Sequence, residues 1–182
     1  MKLTRTPFDG LVILEPKVLT DHRGHFFESF NKRTYNELGL SVDLVQENQS
    51  HSVKNVIRGL HFQKEPHAQT KVVRVLKGRI LDVVVDLRRS QPTFKTYFSV
   101  ELSEENKKCL FVPKGFAHGF SVLSDEADVQ YCCDEFYYPD CEAGILYNDP
   151  TLSIDWRIAK TDAIISAKDL ALPDLKLNAY TF

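Results

Sequence analysis

Apolar residues recur along this chain in short runs, each closed by turn residues and spaced at nearly even intervals. The stretches 53–63, 71–76, 79–87, 96–102, 108–112, 119–123 and 127–136 are rich in Val, Ile, Phe, Tyr and Leu, which fit a pleated, half-buried surface. Lys77-Gly78, Ser90-Gln91-Pro92, Pro113-Lys114-Gly115 and Ser124-Asp125-Glu126 separate them as turns. Two short helices are predicted, one over 32–38 with Gly39 as its C-terminal stop, the other over 162–170. Regularly spaced short strands predict an all-β sandwich or jelly-roll barrel. No repeat, low-complexity tract or linker interrupts the pattern. One domain over 1–182 is therefore expected, with a barrel core at about 45–138 and a C-terminal lid of loops and helix over 139–182.

Size and charge narrow the function classes. A chain of 182 residues buries roughly 70% of its unfolded surface and needs no staples. The net charge of −2 argues against general binding to nucleic acid or to a membrane surface. No apolar run is long enough to span a bilayer. The first residues, Met1-Lys2-Leu3-Thr4-Arg5-Thr6-Pro7, lack the apolar core of a signal peptide, so a cytoplasmic protein is expected. Cys109, Cys132, Cys133 and Cys141 form neither a C-x-x-C pair nor a zinc spacing. Reduced thiols, one of the adjacent pair packed inside, are the expected state.

The chemistry lies in the polar residues inside the strand-like runs. Gln46, Asn48, Arg58, His61, Gln63, Lys71, His118 and Tyr131 would each be costly in a barrel interior unless used. In Arg58-Gly59-Leu60-His61 the two charged groups are three apart. An ideal strand would aim them at opposite faces, and a bulge at Gly59 would correct this. Taken alone, His61 reads as a satisfied core histidine and Arg58 as a surface group. The wider pattern favours a cavity with a base, several cations and no metal.

Pro113-x-Gly115-x-x-His118 resembles the second motif of the cupins, the double-stranded β-helix family, and Gly59-Leu60-His61-x-Gln63 with Lys71 and Gly78 resembles a degraded first motif. Metal cupins would place a histidine where Gln63 stands and a carboxylate near Lys71. A protonated lysine cannot ligate a cation. Only His61 and His118 remain of the usual ligands, fewer than a stable divalent site wants. The expectation is a cofactor-free, metal-free cavity for an anion and an enolate.

Asp21-x-Arg23-Gly24-x-Phe26-Phe27-Glu28, Gln46-x-Asn48-x-Ser50, Arg58-Gly59-Leu60-His61-Phe62-Gln63, Lys71-x-x-Arg74, Asp82-Val83-x-Val85-Asp86-Leu87-Arg88, Leu102-Ser103-x-x-Asn106, Val112-Pro113-x-Gly115-Phe116-Ala117-His118-Gly119-Phe120 and Asn148-Asp149 together resemble the dTDP-4-dehydrorhamnose 3,5-epimerase family, in consistent order over about 10–169. Lys95, where the family commonly has Gly, and Tyr147, where many members carry Trp, depart from it. The resemblance implies a jelly-roll homodimer that epimerises a dTDP-sugar without a cofactor. It implies His61 as base with Asp169 as its partner, and Tyr131 as proton donor. It implies substrate contacts from Arg23, Glu28, Gln46, Asn48, Arg58, His118, Glu142 and Lys168. Phe26 and Tyr137 are candidates to stack on the substrate's rings. An N-terminal segment reaching across the dimer is a further implication. In a 4-keto hexose the hydrogens at C3 and C5 are both acidified, and removal of either leaves an enolate on O4. Lys71, at the family's position, is the candidate cation there.

Overall fold

The computed structural model describes residues 1–176 and 182. Thirteen strands are placed among them: β1 (Lys2–Arg5), β2 (Val12–Glu15), β3 (Leu19–Asp21), β4 (Gly24–Phe26), β5 (Gln46–Val53), β6 (Ile57–Gln63), β7 (Lys71–Lys77), β8 (Arg79–Asp86), β9 (Tyr97–Ser103), β10 (Cys109–Val112), β11 (Phe116–Val122), β12 (Glu126–Cys133) and β13 (Glu142–Gly144). Two helices, α1 (Lys32–Glu37) and α2 (Ala167–Leu170), and a 3₁₀ turn at Pro139–Cys141 complete the chain. A six-stranded sheet runs β1-β2-β10-β7-β12-β5, and a five-stranded sheet runs β13-β6-β11-β8-β9. Every paired neighbour is antiparallel. This is the expected all-β jelly roll.

Alternation sets which side chains meet inside. Val73, Val75, Leu110, Val112 and Val129 of the six-stranded sheet pack against Ile80, Val84, Leu102, Phe116 and Phe120 of the other, forming the barrel core. The five-stranded sheet is covered on its outer side too, where Leu81, Val83, Val85 and Ala117 meet Ile145, Leu152, Trp156 and Leu175. That is why β8 reads as a nearly continuous apolar run. The six-stranded sheet carries α1 outside, with Tyr35, Leu40 and Val42 on Val12, Leu14, Val72 and Phe111. Asn31 caps α1 by accepting from the amides of Arg33 and Thr34.

The structure differs from expectation in three places. The run 53–63 is two strands, because Asn55 turns the chain at φ +66°, a conformation asparagine tolerates. β5 precedes that turn, and its polar Gln-Glu-Asn-Gln-Ser-His sequence hides it from a hydrophobic pattern. The second helix shrinks from 162–170 to α2, since Ile164 is extended and exchanges hydrogen bonds with Asn55 and Ile57. β1 and β2, before residue 45, join the six-stranded sheet. The β3–β4 hairpin belongs to neither sheet, leaving Leu19 54% and Phe26 71% exposed. Among the described residues no helix is long and apolar enough to cross a membrane.

Candidate active site

The site is built where β6 and β11 come closest. His61 faces His118 across the ladder, and Arg58 faces Phe120. Gly59 and Leu60 of β6 thus stand against Gly119 alone on β11, which is a bulge in β6. Gly59 sits at φ +114°, and a Cβ there would lie 2.7 Å from the Gly119 Cα and 2.8 Å from the His118 carbonyl oxygen. Only glycine fits. The extra residue brings Arg58 and His61 to the same cavity, of about 530 Å³, together with Lys71, His118, Tyr131, Lys168 and Asp169.

Asp169 anchors the base. Its Oδ1 lies 2.9 Å from His61 Nε2, and its Oδ2 accepts from the Gly59 amide at 3.0 Å. The carboxylate is 4% exposed and is held in place by the cap of α2, where Ser166 Oγ accepts from the Asp169 amide at 3.0 Å. With Nε2 taken, Nδ1 is the nitrogen left to accept a proton. Burial lowers the His61 pKa below its usual 6.5, Asp169 opposes the shift, and the charge of Lys71 adds to it. The imidazole is therefore neutral at neutral pH.

Lys71 opens β7 on the facing sheet and makes no ion pair among the described residues. Its ammonium stands 5.8 Å from the centre of the Tyr131 ring. Burial lowers its pKa from 10.5, while Cys133, Asp82 and Glu142 pull it back. Burial raises the Tyr131 pKa above 10, keeping the phenol protonated. His118 Nε2 lies 2.9 and 3.1 Å from the two oxygens of Asp82, which is wholly buried on β8. Burial raises the Asp82 pKa, and His118 and Lys71 oppose the rise.

A second recess of about 250 Å³ adjoins the first, sharing His61, Lys71 and Tyr131 and adding Gln46, Asn48, Tyr137 and Glu142. Glu142 accepts from Tyr137 Oη at 2.6 Å and from Lys168 Nζ at 2.7 Å. Gln46 donates to Asn48 Oδ1 at 3.1 Å and accepts from the Tyr137 amide at 2.9 Å. Arg58 donates to Ser52 Oγ and the His51 carbonyl, and has no carboxylate partner among the described residues.

Eleven of the fourteen residues expected at the site thus meet in two joined recesses, His61, Lys71, Tyr131, Asp169, Arg58, His118, Lys168, Gln46, Asn48, Tyr137 and Glu142, and Gln63 lines the second beside them. Arg23, Phe26 and Glu28 do not. Arg23 and Phe26 lie on the separate hairpin, Arg23 paired with Asp21 at 2.6 Å. Glu28 is bonded to Asn31 and Thr34 at the start of α1. Two site residues escape the sequence reading. Asp82 could have been found as a carboxylate in the middle of an apolar strand, which needs a buried partner. Ser166 was legible only as a helix cap.

The arrangement puts a neutral imidazole on one sheet and a protonated phenol on the other, with the Lys71 amine beside the phenol. That can remove a proton from one face of a carbon and return one to the other. The profile of the family described as dTDP-4-dehydrorhamnose 3,5-epimerase matches residues 5–177. The dTDP-4-dehydrorhamnose 3,5-epimerase of Methanothermobacter thermautotrophicus is 48% identical over 97% of this chain and 96% of its own. The crystal structure of the enzyme of that name from Elizabethkingia anophelis superposes with a TM-score of 0.93, at 48% identity over 97% of each chain. A Legionella pneumophila dTDP-6-deoxy-D-glucose-3,5-epimerase, in complex with dTDP-4-keto-L-rhamnose, gives 0.92 at 46% identity, over 97% of this chain and 93% of its own.

Proposed function

The chain belongs to the dTDP-4-dehydrorhamnose 3,5-epimerase family, and from that premise we propose that it inverts C3 and C5 of dTDP-4-dehydro-6-deoxy-D-glucose to give dTDP-4-dehydro-L-rhamnose, in dTDP-L-rhamnose biosynthesis. The observation that carries the reading is His61, hydrogen-bonded to buried Asp169 and sharing its cavity with Lys71 and Tyr131 of the opposite sheet. His61 Nδ1 takes the proton α to the carbonyl. The C–H electron pair moves into the ring to form the enolate, whose O4 charge Lys71 balances. Tyr131 delivers a proton to the other face, and solvent restores the His61 and Tyr131 protonation states. The second centre reacts in the same way. Asp169 holds the imidazole and stabilises the imidazolium.

Arg58 and Lys168 suit the diphosphate, being cations at the cavity. His118, Gln46, Asn48, Glu142 and Tyr137 supply polar and ring contacts to sugar and base. The reaction needs no cofactor, and the site uses none of the metal-cupin set beyond His61 and His118. Gln63 and Lys71 stand where further ligands would be required. The enzyme works as a single-domain, cytoplasmic homodimer. The exposed Phe26 and Leu19 of the β3–β4 hairpin favour that assembly: they would carry Arg23, Phe26 and Glu28 to the partner's substrate.

The test is NMR of the 4-keto sugar nucleotide with this protein in D₂O. Deuterium appears at C3 and C5 with the native enzyme, and His61→Ala slows its entry by roughly 10²–10⁴-fold, the usual worth of a positioned base. Label at one carbon alone would replace double by single epimerisation. Label at neither would end the epimerase reading.

A further inference from the structure

Residues 135–138 pose a backbone problem. β12 is flanked by β5 and β7, and both ladders end together at Cys133, opposite Gln46 on one side and Lys71 on the other. The next peptides have no strand to pair with, yet their polar groups must be satisfied. The Glu135 carboxylate takes the Phe136 amide at 2.8 Å, and three side-chain amides satisfy four more of these groups. Gln69 Nε2 donates to the Glu135 carbonyl at 2.8 Å and to that of Phe136 at 3.3 Å. Gln46 Oε1 accepts from the Tyr137 amide at 2.9 Å.

Gln63 does the most. It is 4% exposed and uses both ends of its amide. Nε2 donates to the carbonyls of Phe136, at 3.1 Å, and His67, at 2.6 Å, while Oε1 accepts from the Tyr138 amide at 2.7 Å. Gln63 lies two residues beyond His61 on β6, so both face the same way. It also sits directly opposite Glu142 in the β6–β13 ladder, and Glu142 holds the Tyr137 hydroxyl. Tyr138, next in sequence, is stacked on His67 with ring centres 3.5 Å apart. Tyr137 stays 50% exposed at the recess while its backbone amide and its hydroxyl are both bonded.

We propose that Gln63 is a positioning residue that presets Tyr137 at the mouth of the cavity, with Gln46 and Gln69 completing a mould for the 135–138 backbone. The proposal rests on the reading above that Tyr137 contacts the substrate. A metal cupin would carry a ligand at this position; here the same position orders the aromatic wall before substrate arrives. A preset wall lowers the ordering cost of binding and leaves the proton transfers to His61 and Tyr131.

Gln63→Met removes all three bonds at similar volume, and Gln63→Glu keeps only the acceptor. In both, KM and the dissociation constant for dTDP, measured by calorimetry, rise about tenfold or more, while kcat at saturation changes less than about threefold. In a Tyr137→Ala background, Gln63→Met then adds less than about twofold to the dTDP dissociation constant. Gln69→Leu, at a less buried site, produces a smaller rise that vanishes in the same background, and serves where Gln63→Met does not fold. A fall in kcat with unchanged dTDP affinity, or an effect undiminished in the Tyr137→Ala background, overturns the proposal. If Tyr137→Ala alone leaves dTDP affinity unchanged, the contact reading of Tyr137 fails instead, and the proposal with it.

Discussion

At the scale of single residues, function depends on charges held away from their solution values. His61 is kept neutral by burial, and Lys71 loses its proton more readily than a surface lysine. The sign follows for each. The base works deprotonated, so activity is lost as pH falls through the lowered His61 pKa, below 6.5. The O4 cation works protonated, so activity is lost as pH rises through the lowered Lys71 pKa, below 10.5. A bell-shaped profile of kcat/KM is expected, since that quantity reports the free enzyme. Lys71→Arg should keep the charge and move the alkaline limb upward, at a cost of about tenfold in rate because a planar fork replaces a point charge. An alkaline limb that stays in place in Lys71→Arg would assign that limb to the Tyr131 phenol instead. These residues were legible because strands that should be apolar carried them. Asp82 was not singled out, because its partner His118 is 36 residues away in sequence and the pairing exists only once β8 and β11 lie side by side.

At the scale of elements, the catalytic pair is joined by two short devices. The β6 bulge turns His61 inward, and the four-residue helix α2 delivers Asp169 from 108 residues further along the chain. The bulge could be anticipated from Gly59 standing between two charged groups that needed one face. The boundary of α2 differs from the expected one, although the β-branched pair Ile164-Ile165 before it favours the extended form it takes beside β6. Strands buried on both faces, such as β8, announced themselves as apolar runs. β5 did not, since one edge of it serves the cavity and its exposed positions are polar. The capping serine of α2 offers a test of this scale. Ser166→Ala should cost about 1 kcal/mol of stability and, by loosening Asp169, lower kcat by about tenfold. Ser166→Asn, which can still cap, should restore both. Thermal melts and saturation kinetics on the same samples decide it: full kcat alongside a lowered melting point would mean that Asp169 is held by Gly59 and His61 alone.

At the scale of the whole molecule, one hairpin is out of place. The core of the barrel and its two outer layers form within one chain, but β3–β4 stands free with Phe26 in solvent. Three residues expected at the substrate, Arg23, Phe26 and Glu28, are on that hairpin or just after it. A homodimer in which each hairpin completes the other subunit's site resolves both facts, because a two-fold interface makes the exchange reciprocal. The consequence is specific. His61→Ala damages the site of its own subunit, whereas Arg23→Ala damages the site of its neighbour. Each homodimer should be nearly inactive or weakly binding. Mixed at equal amounts after dissociation and reassociation, half the dimers would be hybrids. In each hybrid both lesions fall on one site and the other is intact, so about a quarter of native activity should return. Assay of the mixture against the two separate variants reads this directly. Were the hairpin to serve its own chain, each hybrid site would carry one lesion, and mixing would restore nothing.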